Sequence, residues 1–138
     1  MNQADPNFDW ITARAKCSPT DVLLQLESQT EEDIKKRNEL STDSEKKYGV
    51  RFHFQRDLNQ FSVWTLRDSE RLGYASFQAA PEGIRVIYID PQPELIGTLT
   101  LSNDGECKLR VNDDEYTFWQ FRKLALEPLL FTLTKNLR

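Results

Sequence analysis

The chain is poor in the residues that most catalytic and metal sites require. It has one histidine, His53, and two cysteines, Cys17 and Cys107, among 138 residues. A Ser/His/Asp or Cys/His arrangement would have to be built around His53. That residue shares one side of an alternating segment with Arg51 and Gln55, opposite Val50, Phe52 and Phe54, and reads as a solvent-facing strand residue rather than a base. Two cysteines so far apart in sequence make neither a disulfide framework nor a zinc knuckle, so reduced thiols are the expectation. Without more His or Cys, a transition-metal site would depend on carboxylates, and no spacing supplies one. The acids Asp113, Asp114 and Glu115 read as the start of a helix complementing its dipole rather than as a hard-cation site. The five glycines, at positions 49, 73, 83, 97 and 105, are scattered and form no phosphate-cradling loop. No catalytic residue, metal or cofactor is expected.

An excess of basic charge is also missing. Lys and Arg number 18 against 22 acids, a net charge of −4, which gives no electrostatic drive toward phosphate backbones, so nucleic acid is not an expected partner. No apolar run approaches the roughly 18 residues of a membrane span, and the N-terminus lacks a basic and apolar leader. A soluble, acidic, cytoplasmic protein without membrane insertion is expected. At this length the chain reads as one domain, residues 1–138, able to bury roughly two thirds of its unfolded surface.

What is present is a clear order of elements. Phe8 to Cys17 alternates, with Ile11, Ala13, Ala15 and Cys17 on one side and Trp10, Thr12, Arg14 and Lys16 on the other, and predicts a half-buried strand. Ser18-Pro19-Thr20-Asp21 follows as a helix start, with Ser18 placed to cap and Pro19 at the first helical position. The helix carries Val22, Leu23, Leu26, Thr30 and Ile34 on one face. Glu31, Glu32 and Asp33 each stand four residues before Lys35, Lys36 and Arg37, which predicts a solvated, self-paired face. Ser41 to Lys47 reads as a loop.

Six strands follow in the pattern: Val50 to Gln55, Phe61 to Leu66, Gly73 to Ala79, Ile84 to Ile89, Leu95 to Leu101, and Cys107 to Val111. Polar turns join them, Asn103-Asp104-Gly105 being the most specific hairpin signal, and Pro91 and Pro93 interrupt the pattern before the fifth. The last quarter, from Asn112-Asp113-Asp114-Glu115 onward, reads as a capped helix that Pro128 kinks after Leu126. The predicted fold is α+β, a six- or seven-stranded antiparallel meander packed on a long C-terminal helix, with an N-terminal helix after a first strand.

That order resembles the helix-grip fold of START-like proteins, the strand-to-capped-helix junction at Cys17 to Val22 being its most local feature. The resemblance implies a curved sheet wrapped around the C-terminal helix with an apolar cavity between them. It also implies that the first and last strands are antiparallel neighbours. Cys17 and Cys107 would then approach within the roughly 7 Å between Cα atoms that a disulfide allows.

Two functions are weighed on this basis. The first is non-enzymatic binding of a small apolar ligand between sheet and helix, with Phe52, Phe54, Val86, Tyr88, Phe118 and Phe121 as candidate walls. The alternative is an interaction or chaperone-like module that dimerises or binds a protein client through the apolar C-terminal helix, with Leu129, Leu130, Phe131 and Leu133 as candidate interface. Small acidic chaperones of secretion systems are similar in size, charge and class. Trp10, Trp64 and Trp119 are expected in the core.

Overall fold

The computed structural model describes residues 6–89 and 93–134, so Pro91, the first residues of the chain and the end of the C-terminal segment lie outside the described residues. Seven strands form one antiparallel sheet in sequential order: β1 Val50–Asp57, β2 Gln60–Arg67, β3 Glu70–Ala80, β4 Gly83–Ile89, β5 Leu95–Leu101, β6 Cys107–Val111 and β7 Asp114–Tyr116. Short turns suffice because every neighbour in space is a neighbour in sequence. Asn59 and Asp68 take left-handed backbone in the first two turns, a conformation their short polar side chains tolerate. One face of the sheet, bearing Phe52, Phe61, Val63, Phe77, Ile84, Val86 and Leu109, is buried under the helices.

Helix α2, Pro19–Glu39, begins as its sequence dictates. Ser18 accepts a hydrogen bond from the Asp21 amide, Pro19 occupies the first turn, and Val22, Leu23, Leu26, Thr30 and Ile34 are buried against the sheet. Helix α4, Phe118–Glu127, lies beside it and continues into a π-helical turn, Pro128–Thr132. Gly97 lets α4 sit close to the sheet, since a Cβ there would come within 2.7 Å of the Phe121 ring. Pro128 changes the helical geometry where its missing amide implies it must. Around that widened turn, the carbonyl of Leu129 accepts from Thr65 Oγ1 and that of Leu130 from Arg37 Nε, both at 2.8 Å.

Three local expectations are corrected. Phe8 to Cys17 is not a strand: Trp10–Lys16 forms helix α1, capped by Asp9, whose carboxylate accepts from the amide and hydroxyl of Thr12. The alternation was uninformative because no residue of α1 is buried, so no sheet face selects a period of two. Ser41 to Lys47 contains a short helix α3, Asp43–Lys47, opened by a reciprocal capping box between Thr42 and Glu45. The C-terminal helix does not start at Asn112. That residue sits at φ 56° in a two-residue turn joining β6 to β7, and the helix starts six residues later behind a second box made by Thr117 and Gln120. Asn serves both as a cap and in left-handed turns, so the first signal was ambiguous.

Cys17 and Cys107 form a disulfide, with 5.5 Å between their Cα atoms, which corrects the expectation of free thiols. Their proximity was foreseen from neighbouring strands. It arises differently, from the C-cap of α1 meeting the start of β6.

Candidate functional site

The seam between α2 and α4 carries an apolar concave surface. Its floor is Leu126 and Leu130, both buried. Leu40, Trp119 and Phe131 stand along it with 62%, 58% and 42% of their surfaces exposed. The groove encloses about 370 Å³. Arg122 closes its wall near Trp119, donating through Nε to Asp33 at 2.7 Å and through Nη1 to Gln29 at 2.8 Å, so the two helices are tied by a partly buried fork. Its rim carries Lys36 beside Glu39 and Lys123 beside Glu127, exposed pairs within single helices. Such pairs contribute about 0–1 kcal/mol and exchange readily for the charges of an incoming surface.

Beneath the Phe131 end lies a buried ion pair. Arg37, 4% exposed, has its guanidinium 4.4 Å from the centre of the Phe52 ring and 4.7 Å from that of Phe131, and it pairs with Glu45, which is fully buried. Glu45 also accepts from the Thr42 amide at 3.0 Å. Burial pushes the Glu45 carboxyl upward. Arg37, the Thr42 amide and the Thr134 hydroxyl together outweigh burial and hold the carboxyl below its ordinary value. The pair thus fastens α2, α3 and the π-turn to one another and fixes the ring that forms one wall of the groove.

The residues expected to line a cavity between sheet and helix belong to the packed interior. Phe52, Val86 and Phe121 are buried, Phe54, Tyr88 and Phe118 are half-buried against them, and the Tyr88 hydroxyl donates to the Ala125 carbonyl at 2.7 Å. Of the four expected interface residues, Leu129 and Leu130 are core, Leu133 is half-buried over Gly73, and Phe131 alone is exposed on the groove. The tryptophans are not core residues: Trp10 and Trp119 are mostly exposed, and Trp64 is half-buried on the sheet face away from the helices.

Sequence reasoning missed Leu40, Trp119 and Arg37 as members of one site. Arg37 carried a signal, since it falls three residues after Ile34 on the buried stripe and so could not share the solvated face assigned to Glu31 through Arg37. Among the described residues, no three His, Cys, Asp or Glu side chains are grouped to hold a metal ion, and no helix is long and apolar enough to cross a membrane. His53 stacks on Trp64 with ring centres 5.5 Å apart, and its Nε2 has no hydrogen-bond partner, so no neighbouring group orients it as a base. No protein-family model matches the chain, and comparison with curated proteins and with solved structures likewise returns no match.

Proposed function

We propose that the protein is an interaction module whose α2–α4 groove receives an amphipathic helix of a protein client. The observation that carries this reading is the co-alignment of Leu40, Trp119 and Phe131, exposed aromatic and aliphatic side chains over a buried Leu126 and Leu130 floor. Large apolar side chains left in water along one concave line are the mark of an interaction surface. A helix is the fitting occupant. The groove lies between two helices, and the twelve steps from Trp119 to Phe131 span about 18 Å at the rise of a helix, close to the length of an i, i+4, i+7, i+11 stripe. The rim holds both signs of charge in exposed pairs, so it selects by apolar fit rather than by net charge.

The START-like reading, with a small apolar ligand between sheet and helix, draws on element order. It would require the buried Phe52, Val86 and Phe121 to part, and is the weaker proposal. The cytoplasmic location expected from the sequence is compatible with the groove, whereas the Cys17–Cys107 bond favours an oxidising compartment.

Selection from a displayed library of amphipathic helices tests the proposal. Binders should share an apolar stripe and weaken on Trp119→Glu and Leu40→Lys, substitutions that suit the helix N-terminus and C-terminus they occupy. Binders indifferent to both would refute the assignment. A dimer in solution that both substitutions dissociate would give the groove to a second copy of the chain instead.

A further inference from the structure

The sheet face turned away from the helices has an organisation that the groove reading does not use. The strand register sets His53, Trp64 and Tyr74 side by side on β1, β2 and β3. Their rings form a stacked row, with centres 5.5 Å apart for His53 and Trp64 and 6.2 Å for Trp64 and Tyr74. Arg71 closes the end of the row, its guanidinium 5.0 Å from the centre of the Tyr74 ring. Two residues along the strands lie Ser62 and Ser76, paired across β2 and β3. Both are buried. Tyr74 shelters Ser62, the two hydroxyl oxygens being 2.8 Å apart. One step further, Gln78 Nε2 donates to Gln60 Oε1 at 3.1 Å and lies 3.4 Å from Ser76 Oγ. Trp64, Tyr74, Ser62 and Gln60, with Gln55 and Asp57 at the β1 side and Leu66 and Arg71 toward the other end, line a depression of about 420 Å³, within the range of small-molecule sites; Gln78 stands outside it and holds Gln60 in place.

The chemistry of this depression is selective. A sheet face meant only for water would present Lys, Glu and Thr; a protein interface also uses Trp, Tyr and Arg, but it is depleted in the serine that floors this depression. Here amides and hydroxyls stand opposite an aromatic wall, with one carboxylate and one guanidinium balancing each other at the margin. An apolar molecule would cover the donor and acceptor capacity that these hydroxyls and amides keep beyond their mutual bonds, with nothing to pair it. Anionic ligands would find one guanidinium in the lining, Arg71, offset by the Asp57 carboxylate. A neutral molecule rich in hydroxyls, with an apolar C–H face for the wall and paired donors and acceptors for the amides, satisfies both sides.

We propose that the outer sheet face binds a neutral saccharide between the Trp64–Tyr74 wall and the Gln55–Gln60 border. The site is independent of the α2–α4 groove.

The protein has three tryptophans, so the double variant Trp10→Phe/Trp119→Phe leaves Trp64 as the only reporter on the proposed site. Its emission should be titrated with cellotriose, chitotriose, maltotriose and xylotriose. At least one should give a saturable change with a Kd of about 1 mM or tighter, weakened about tenfold by Gln60→Ala and by Gln55→Ala. Thermal unfolding of each variant checks that the sheet is intact. Absence of saturation by all four up to about 20 mM would overturn the proposal, as would saturation insensitive to both glutamine variants. Trp64 emission that follows protein concentration instead would overturn it by marking the face as a contact between copies.

Discussion

Replacing Arg37 by Met tests the internal logic of the groove more sharply than any surface change. Met fills much of the space of the arginine stem but leaves the Glu45 carboxyl fully buried without its guanidinium, and the Leu130 carbonyl without its donor. Breaking a buried pair from one side costs about 3–5 kcal/mol. At pH 7 a ceiling applies, because Glu45 can take up a proton. From the ordinary glutamate value of 4.5 that uptake costs about 3.4 kcal/mol at 1.36 kcal/mol per unit. Adding about 1 kcal/mol for the orphaned carbonyl gives an expected loss of about 4 kcal/mol.

The pH dependence follows with its sign. In the native protein the folded carboxyl lies below its unfolded value, so its contribution is present above the unfolded value and lost as pH falls through the folded one. Arg37→Met removes the compensating partner, burial dominates, and the variant gains on the parent as pH falls, since the protonation ceiling at pH 5 is only about 0.7 kcal/mol. Urea unfolding at pH 7 and pH 5 measures both numbers. Adding Glu45→Gln, which keeps an acceptor for the Thr42 amide, should recover about 2 kcal/mol at pH 7. A loss below about 1 kcal/mol at pH 7, or an equal loss at both pH values, would refute the reasoning.

Three further outcomes are expected. Reducing Cys17–Cys107, which spans 90 residues of sequence, should lower stability by up to about 4–5 kcal/mol in urea and release the amides of α1 to exchange first; an unchanged midpoint would contradict the bond. Ser18→Ala and Thr117→Ala should each cost about 1 kcal/mol by urea midpoint, whereas indifference to Thr117→Ala would return the helix start to Asn112. Leu130→Asp should abolish the cooperative unfolding transition, and Phe131→Asp should retain it with near-native circular dichroism; equal damage from both would place Phe131 in the core.

The meander was legible because each strand carried its own alternation and each turn its own residues, as at Asn103-Asp104-Gly105, so local signals sufficed for a sheet with only sequential neighbours. The start of α2 was legible for the same reason, with Ser18, Pro19 and Asp21 in a fixed local frame. What failed was whatever depends on distant partners. Phe8 to Cys17 alternates but meets no sheet, Asn112 fits two backbone roles, and the pairing of Cys17 with Cys107 is set by tertiary geometry alone. The groove was half legible. Phe131 stood out beside Pro128, but Leu40 and Trp119 come from the ends of two helices 79 residues apart in sequence. Only the packing of α2 on α4 puts them on one line.

The most direct test of the central claim is the amide exchange of the protein with and without a selected amphipathic helix bound. Added protection is expected only along the α2–α4 seam, from Asp33 to Leu40 and from Trp119 to Phe131, with the outer face of β1 to β3 unchanged. Protection centred on that outer face, or spread through the core strands as for a ligand entering between sheet and helix, would contradict it.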